Sequence, residues 1–442
     1  MIRGNTASIG IGWFGIIRLG TVQAAIGAMV MLATSLLNRV MVVEYAIAAA
    51  VPAGLVAWHY AVQLSRPLWG HTSDRSARRS SWIMTGMGIL ALGTLLSVDA
   101  TIMMSGPTTL PVILAIVGFT LIGLGVGMSG TALLALLASR VSLERKPAAA
   151  AISWTMMVAG IVVAAGISGA YLDPFSEARL AVVTSMVVLI AFCLAMLALR
   201  GLERNSAPVI ASKSEAKQSH FAEVLKDIWQ DNQARRFTYF VFISMLAYSM
   251  QDLILEPFAG FVFDMTPGES TQLAGVQHSG ILLGMLVAGL GGSLYAKRFG
   301  PNLKLWIVLG CIGSAVMLAG LSTAAVVGPV WPLTANVFGL GVANGVFAVA
   351  AVGAMLGLAS DGESSGEGAR MGVWGASQAI AFGAGGLLGA IIVDQLRSML
   401  GQDSIAFQTV FAVEAVMFLL AAIVATGTSL SRQSSIGKAV QA

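Results

Sequence analysis

"GHTSDRSARR", Gly70–Arg79, gathers one glycine, one aspartate and three arginines into ten residues, in a chain where only 10% of 442 residues are charged. The apolar runs on both sides exceed the roughly 18 residues that suggest a bilayer span, so the stretch reads as a polar loop between two membrane helices. Working outward, 57% of the chain is hydrophobic and mean hydropathy is +0.83, which points to a polytopic helical membrane protein. Glycine occurs 51 times, well above the typical share of about 7%. Small residues let helix backbones approach closely where lipid supplies no hydrophobic drive, so tight helix packing is expected. Cys193 and Cys311 lie in separate apolar runs, without metal-site or redox spacing, and both read as core residues.

Twelve helices are predicted, at 19–43, 46–69, 82–104, 110–138, 148–171, 179–200, 237–263, 273–296, 304–325, 332–359, 371–396 and 405–428. "GWFGIIRLG", Gly12–Gly20, suits an interfacial segment with Trp13 and Phe14 at the headgroup level, and the first span then serves as an uncleaved anchor. With the N-terminus inside, all of the 25 Lys and Arg residues except Arg39, Arg179 and Arg397 fall on the cytoplasmic side. This asymmetry predicts cytoplasmic termini, and it accounts for a pI near 9.2 without a nucleic-acid partner. The polar stretch Gly201–Arg236 divides six spans from six. The expected organisation is an N-terminal six-helix bundle over 1–200, a cytoplasmic linker over 201–236, a C-terminal six-helix bundle over 237–430 and a cytoplasmic tail over 431–442. Within the linker, Phe221–Trp229 reads either as a short amphipathic helix on the membrane surface or as a solvated connector.

Six plus six helices around a long central loop is the layout of the major facilitator superfamily. The opening loop resembles that superfamily's Gly-x-x-x-Asp-Arg-x-x-Arg-Arg signature through Gly70, Asp74, Arg75, Arg78 and Arg79, with Thr72 and Ala77 where Leu and Gly are common. Glycine allows close helix approach, and an aspartate at a helix end can latch a neighbouring basic group or helix terminus. A plain positive-inside loop would need the arginines only. "GGSLYAKRFGP", Gly291–Pro301, looks like a decayed copy that keeps Gly292, Lys297 and Arg298. The fold class expected is therefore all-α, two pseudo-symmetric six-helix halves of the major facilitator type.

Charges inside spans are costly, on the order of 3 kcal/mol for a carboxylate at a helix centre, and their presence is a functional signal. Asp252 and Glu256, in "SMQDLILEPFAGFVF", lie roughly 24 and 30 Å along helix 7, while Asn38 and Arg39 lie about 30 Å along helix 1. Arg39 is expected to pair with Asp252, Glu256 or Glu44. His59 and His278 could each donate a nitrogen lone pair to a metal, including the magnesium of a chlorin ring, although a lone membrane histidine more often hydrogen-bonds a neighbouring helix. Gln63 shares the face of His59. Asn336, Asn344, Gln378, Asp394 and Glu414 complete the polar set, with no spacing that marks a known chemistry. No phosphate loop, His/Cys metal cluster or nucleophile elbow is present in the sequence, so no catalytic residue and no metal site is assigned, and an enzyme is not expected.

Ile17–Ile83, with its "LNRVMVVE", together with "SMQDLILEPFAGFVFDM" and "GASQAIAFGAGGLLGA", resembles the bacteriochlorophyll delivery (PucC/LhaA-like) family of purple phototrophic bacteria. That resemblance covers nearly all spans. It implies an assembly factor for light-harvesting antenna complexes, in the bacterial inner membrane or the intracytoplasmic photosynthetic membrane, that delivers bacteriochlorophyll to nascent antenna polypeptides. Implied partners are those antenna polypeptides, bacteriochlorophyll synthase and the membrane insertion machinery, with bacteriochlorophyll as candidate cargo rather than a fixed cofactor. Asn38, Arg39, Glu44, His59 and Gln63 would then shape the interface of the halves with Gln251, Asp252, Glu256 and Gln378, and His278 is a further candidate pigment ligand. The competing expectation is a secondary transporter of a small solute, proton-coupled through Asp252 or Glu256.

Overall fold

The computed structural model describes residues 11–66, 69, 79–106, 109–141, 145–203, 229–230, 232–299, 302–360 and 367–427. They form α1 (Trp13–Glu44), α2 (Ala50–Gln63), α3 (Arg79–Met103), α4 (Thr109–Arg140), α5 (Lys146–Leu172) and α6 (Glu177–Leu199). These are followed by α7 (Asn232–Phe263), α8 (Pro267–Phe299), α9 (Leu303–Val327), α10 (Leu333–Ser360), α11 (Glu367–Leu400) and α12 (Asp403–Thr426). Among the described residues no strand occurs, and eleven helices are long and apolar enough to cross a membrane. The twelfth, α2, is described over 14 residues.

Helix ends follow local chemistry. Ser176 caps α6 by accepting the amide of Arg179 (3.2 Å), with Glu177 favourably placed in the first turn, and Asn302 caps α9 through the amide of Leu305 (3.0 Å). Gly401 closes α11 at φ 64°, a left-handed conformation that glycine adopts without a Cβ penalty, and its amide returns to the carbonyl of Arg397 (2.9 Å).

The described residues cluster into two compact units. The first draws on Met1–Ile47, Trp58–Glu215 and Thr266–Gly275, the second on Ala48–Ala57, Ala216–Met265 and Val276–Ala442. In the first, α3 packs on α4 and α6, and α1 on α5 and α6; in the second, α9 packs on α10 and α12, and α7 on α11 and α12. Close approach explains much of the glycine content. A Cβ on Gly341 of α10 would lie 2.1 Å from the carbonyl oxygen of Gln277 on α8, and one on Gly284 would lie 2.1 Å from that of Val342. Large apolar side chains such as Leu92, Val182, Leu290 and Ile423 are exposed, as befits helices that face lipid.

Two readings change. Trp13 and Phe14 start α1 itself instead of forming a separate segment, and one turn on Arg18 reaches the carbonyls of Ala198 (2.9 Å) and Arg200 (2.5 Å) at the end of α6. Cys193 is exposed on α6, whereas Cys311 is buried on α9; a thiol is apolar enough to face lipid, so an apolar run did not mean core. The loop residues Gly70, Asp74, Arg75 and Arg78, and Phe221–Ile228 of the linker, lie outside the described residues. Gly292, Lys297 and Arg298 fall within the last turns of α8.

Candidate functional site

In the first unit the chain builds a charged station at the end of α1. Two π-helical turns, Leu32–Leu36 and Val40–Glu44, bracket Leu37–Arg39, a distortion that often marks functional positions. Arg39 is 1% exposed. Its Nη1 meets Glu44 Oε1 at 2.5 Å and its Nε donates to Ser270 Oγ at 3.0 Å, so of the carboxylates considered from sequence Glu44 is a partner in the structure. Asn38 is buried beside it in sequence. Just beyond the helix, the hydroxyl of Tyr45 faces Glu177 Oε1 at 3.5 Å. Burial first, then the charge of Glu177, pushes the Tyr45 phenol up to about 12.

The same unit holds the start of α8 in place. Asp173 accepts from Thr266 Oγ1 (2.5 Å) and from the amide of Gly268 (3.1 Å), an anionic cap on the positive end of a helix. The second unit contains the counterpart: Asp394 of α11 accepts from the amides of Ala49 (3.0 Å) and Ala50 (2.8 Å), at the start of α2. Further along α2, His59 and Gln63 are both buried, and Gln63 Oε1 accepts from Arg66. At the opposite end of the spans, Arg79 and Ser80 direct their amides to Glu203 (3.2 and 3.0 Å), which lies 3.9 Å from Arg140, while Arg79 Nη1 donates to the carbonyl of Ala135.

In the second unit, Gln251 and Glu256 of α7 are buried, Asp252 between them is partly exposed, and Pro257 interrupts the helical ladder one residue later. Asp252 and His278 of α8 interact electrostatically, so two of the sequence candidates do meet. Gln378 of α11 is partly exposed. Among the described residues no group of three or more His, Cys, Asp or Glu side chains could hold a metal ion.

Ser270, Asp173 and Glu203 were missed in the sequence. Ser270 carries no signal of its own, and Asp173 and Glu203 sit at helix ends, where an acid is ordinarily read as a solvated group.

The bundle of long apolar helices has the fold of solved membrane transporters. The solved structure of a bacterial homologue of the human lysosomal transporter Spinster, in an inward-facing and unoccupied conformation, matches 96% of this chain and all of its own with a TM-score of 0.71 at 12% identity. The chain belongs to the PUCC protein family, whose model matches residues 36–433. It is 46% identical to the "Bacteriochlorophyll synthase 44.5 kDa chain" of Rhodobacter capsulatus, over 96% of this chain and 97% of that one. It is 27% identical to Protein PucC of the same organism, over 92% and 90%.

Proposed function

We propose that this protein is an assembly factor for light-harvesting complexes and that it hands bacteriochlorophyll to nascent antenna polypeptides. The observation that carries the reading is the family match across nearly the whole chain, supported by a relative whose name ties it to bacteriochlorophyll. A chlorin with an isoprenoid tail belongs in the bilayer, and a protein of long apolar helices with buried polar stations suits such a cargo. His278, which interacts electrostatically with Asp252, is the candidate ligand for the chlorin magnesium, since a neutral imidazole offers a nitrogen lone pair. The protein acts without catalysing a reaction: the word synthase belongs to the relative's name, and the family and transporter-type fold favour a carrier.

The chain sits in the inner or intracytoplasmic membrane with both termini in the cytoplasm, a reading that rests on the basic-residue asymmetry. Antenna polypeptides, bacteriochlorophyll synthase and the insertion machinery are its partners. Gentle purification from phototrophic membranes tests this: an absorption band of bacteriochlorophyll, together with antenna polypeptides or the synthase, is the expected result. A colourless preparation without those partners would transfer the assignment to transport of a small solute, which the superfamily fold also supports.

A further inference from the structure

Besides the His278 and Asp252 pair, the interior of the second unit holds buried polar side chains. Gln251 on α7, Asn344 on α10 and Glu414 on α12 are 0% exposed. Both amide atoms of Gln251, Nδ2 of Asn344 and both carboxyl oxygens of Glu414 have no hydrogen-bond partner among the described residues. A buried polar group left unpaired is costly, so five such atoms need an explanation.

Contacts along the helices bring the three residues to one level. Arg236, at the start of α7, donates to the carbonyl of Gly427 after α12 (2.8 Å), and Phe258, near the far end of α7, packs on Phe407 and Phe411 with ring centroids 5.4 and 5.0 Å apart. The two helices are therefore antiparallel. Gln251 lies about two turns from Phe258 on the same face, which sets it opposite the stretch around Glu414. Phe347 of α10 meets Phe418 of α12 at 5.5 Å, and one turn back from each along these similarly directed helices are Asn344 and Glu414. Glu414 belongs to the buried stripe Phe407, Phe411, Phe418, so it points into the same interior. From a fourth helix, Ser314 of α9 donates to Asn344 Oδ1 (2.7 Å).

One positive charge would satisfy the set. Carboxylate oxygens of Glu414 and the amide oxygen of Gln251 are hard ligands suited to a hard cation. A single carboxylate balances a single charge, so the apolar interior holds no net charge. Other titratable groups on the packed helices are placed differently. Asp252 and Glu256 are rotated about 100° and 140° from Gln251 around α7, Asp394, Arg397 and Asp403 lie at the far ends of α11 and α12, and Cys311 sits one turn from Ser314 on α9.

We propose that Gln251, Ser314, Asn344 and Glu414 form a buried site for one monovalent cation taken from solution, an alkali-metal ion or a proton. The inference stands apart from the pigment reading. Thermal unfolding of the purified full-length protein in detergent tests it, with sodium chloride exchanged for choline chloride at constant ionic strength, and then with pH varied in choline. For an alkali ion, sodium raises the melting temperature of the wild type saturably, Glu414→Gln loses the response, and Gln251→Met raises the half-saturating sodium concentration about tenfold, the effect of a lost contact worth about 1.4 kcal/mol. For a proton, sodium has no effect, and the melting difference between the wild type and Glu414→Gln changes with pH. If Glu414→Gln does not accumulate, Gln251→Met carries both titrations. Parallel responses of the wild type and the surviving variants to sodium and to pH would overturn the site.

Discussion

Arg39 and Glu414 are both ionisable side chains withdrawn from solvent in apolar helices, 1% and 0% exposed, yet they keep opposite company. Arg39 stands near the end of a span, where two π-helical turns and the start of α8 bring it Glu44 and Ser270. Glu414 stands in mid-bundle, where the described residues give neither of its oxygens a partner. The difference teaches that a buried charge at a helix end can be matched by neighbouring loops and caps. Glu414, in mid-bundle, has no such match among the described residues, which is why a cation from solution is proposed for it.

The most direct way to break this contrast is Arg39→Ala. Removing one partner of a buried pair strands the other, and the expected loss is about 3–5 kcal/mol. It would be read as a lower melting temperature, with Arg39→Met/Glu44→Gln recovering at least half of the loss. Glu414→Met should move the opposite way. In choline buffer it removes a carboxyl with no protein partner and is expected to raise stability by about 1–3 kcal/mol. A large destabilisation there would mean that Glu414 is already satisfied within the protein, and the contrast with Arg39 would vanish.

The two helix caps give a smaller and more even comparison. Asp173→Ala and Asp394→Ala each remove a carboxylate from a helix N-terminus, and each should cost about 1–2 kcal/mol. Amide hydrogen exchange should quicken at Gly268 for the first and at Ala49 and Ala50 for the second, with no crossover between them. Exchange that quickened at both caps in either variant would show that they are not independent.

Helix count, spans and fold class were legible because they depend on long apolar runs and on one polar loop, and neither needs a partner to be recognised. Even so, its apolar run misplaced Cys193 in the core, since an apolar residue can serve the lipid-facing side as well as the core. The candidate station was legible in part. Arg39, Asp252 and His278 stand out as polar residues in apolar helices, and the pairing of Arg39 with Glu44 was among the options. Ser270 and Asp173 were invisible because their roles come from tertiary placement: Ser270 is a common residue one turn into α8, and Asp173 is a loop acid whose partners lie some 95 residues away. Glu414 was visible as an oddity, but its place at the level of Gln251 and Asn344 follows from helix registers that aromatic contacts fix and sequence does not.

The smallest expected effect concerns Tyr45, at the edge of the Arg39 station. Burial and then the nearby Glu177 hold its phenol protonated up to about pH 12, against an ordinary value near 10. Because the folded state keeps the proton longer than the unfolded chain, the associated stability is full below pH 10 and is lost between pH 10 and 12. Tyr45→Phe should remove that loss while changing stability little near neutrality, since the contact to Glu177 is long at 3.5 Å. The near-ultraviolet absorbance of tyrosinate reports it directly: the wild type should show one more late-titrating tyrosine than the variant. Titration of that tyrosine near pH 10 would mean that Tyr45 is solvated, and that the end of α1 is more open than its packing against Glu177 implies.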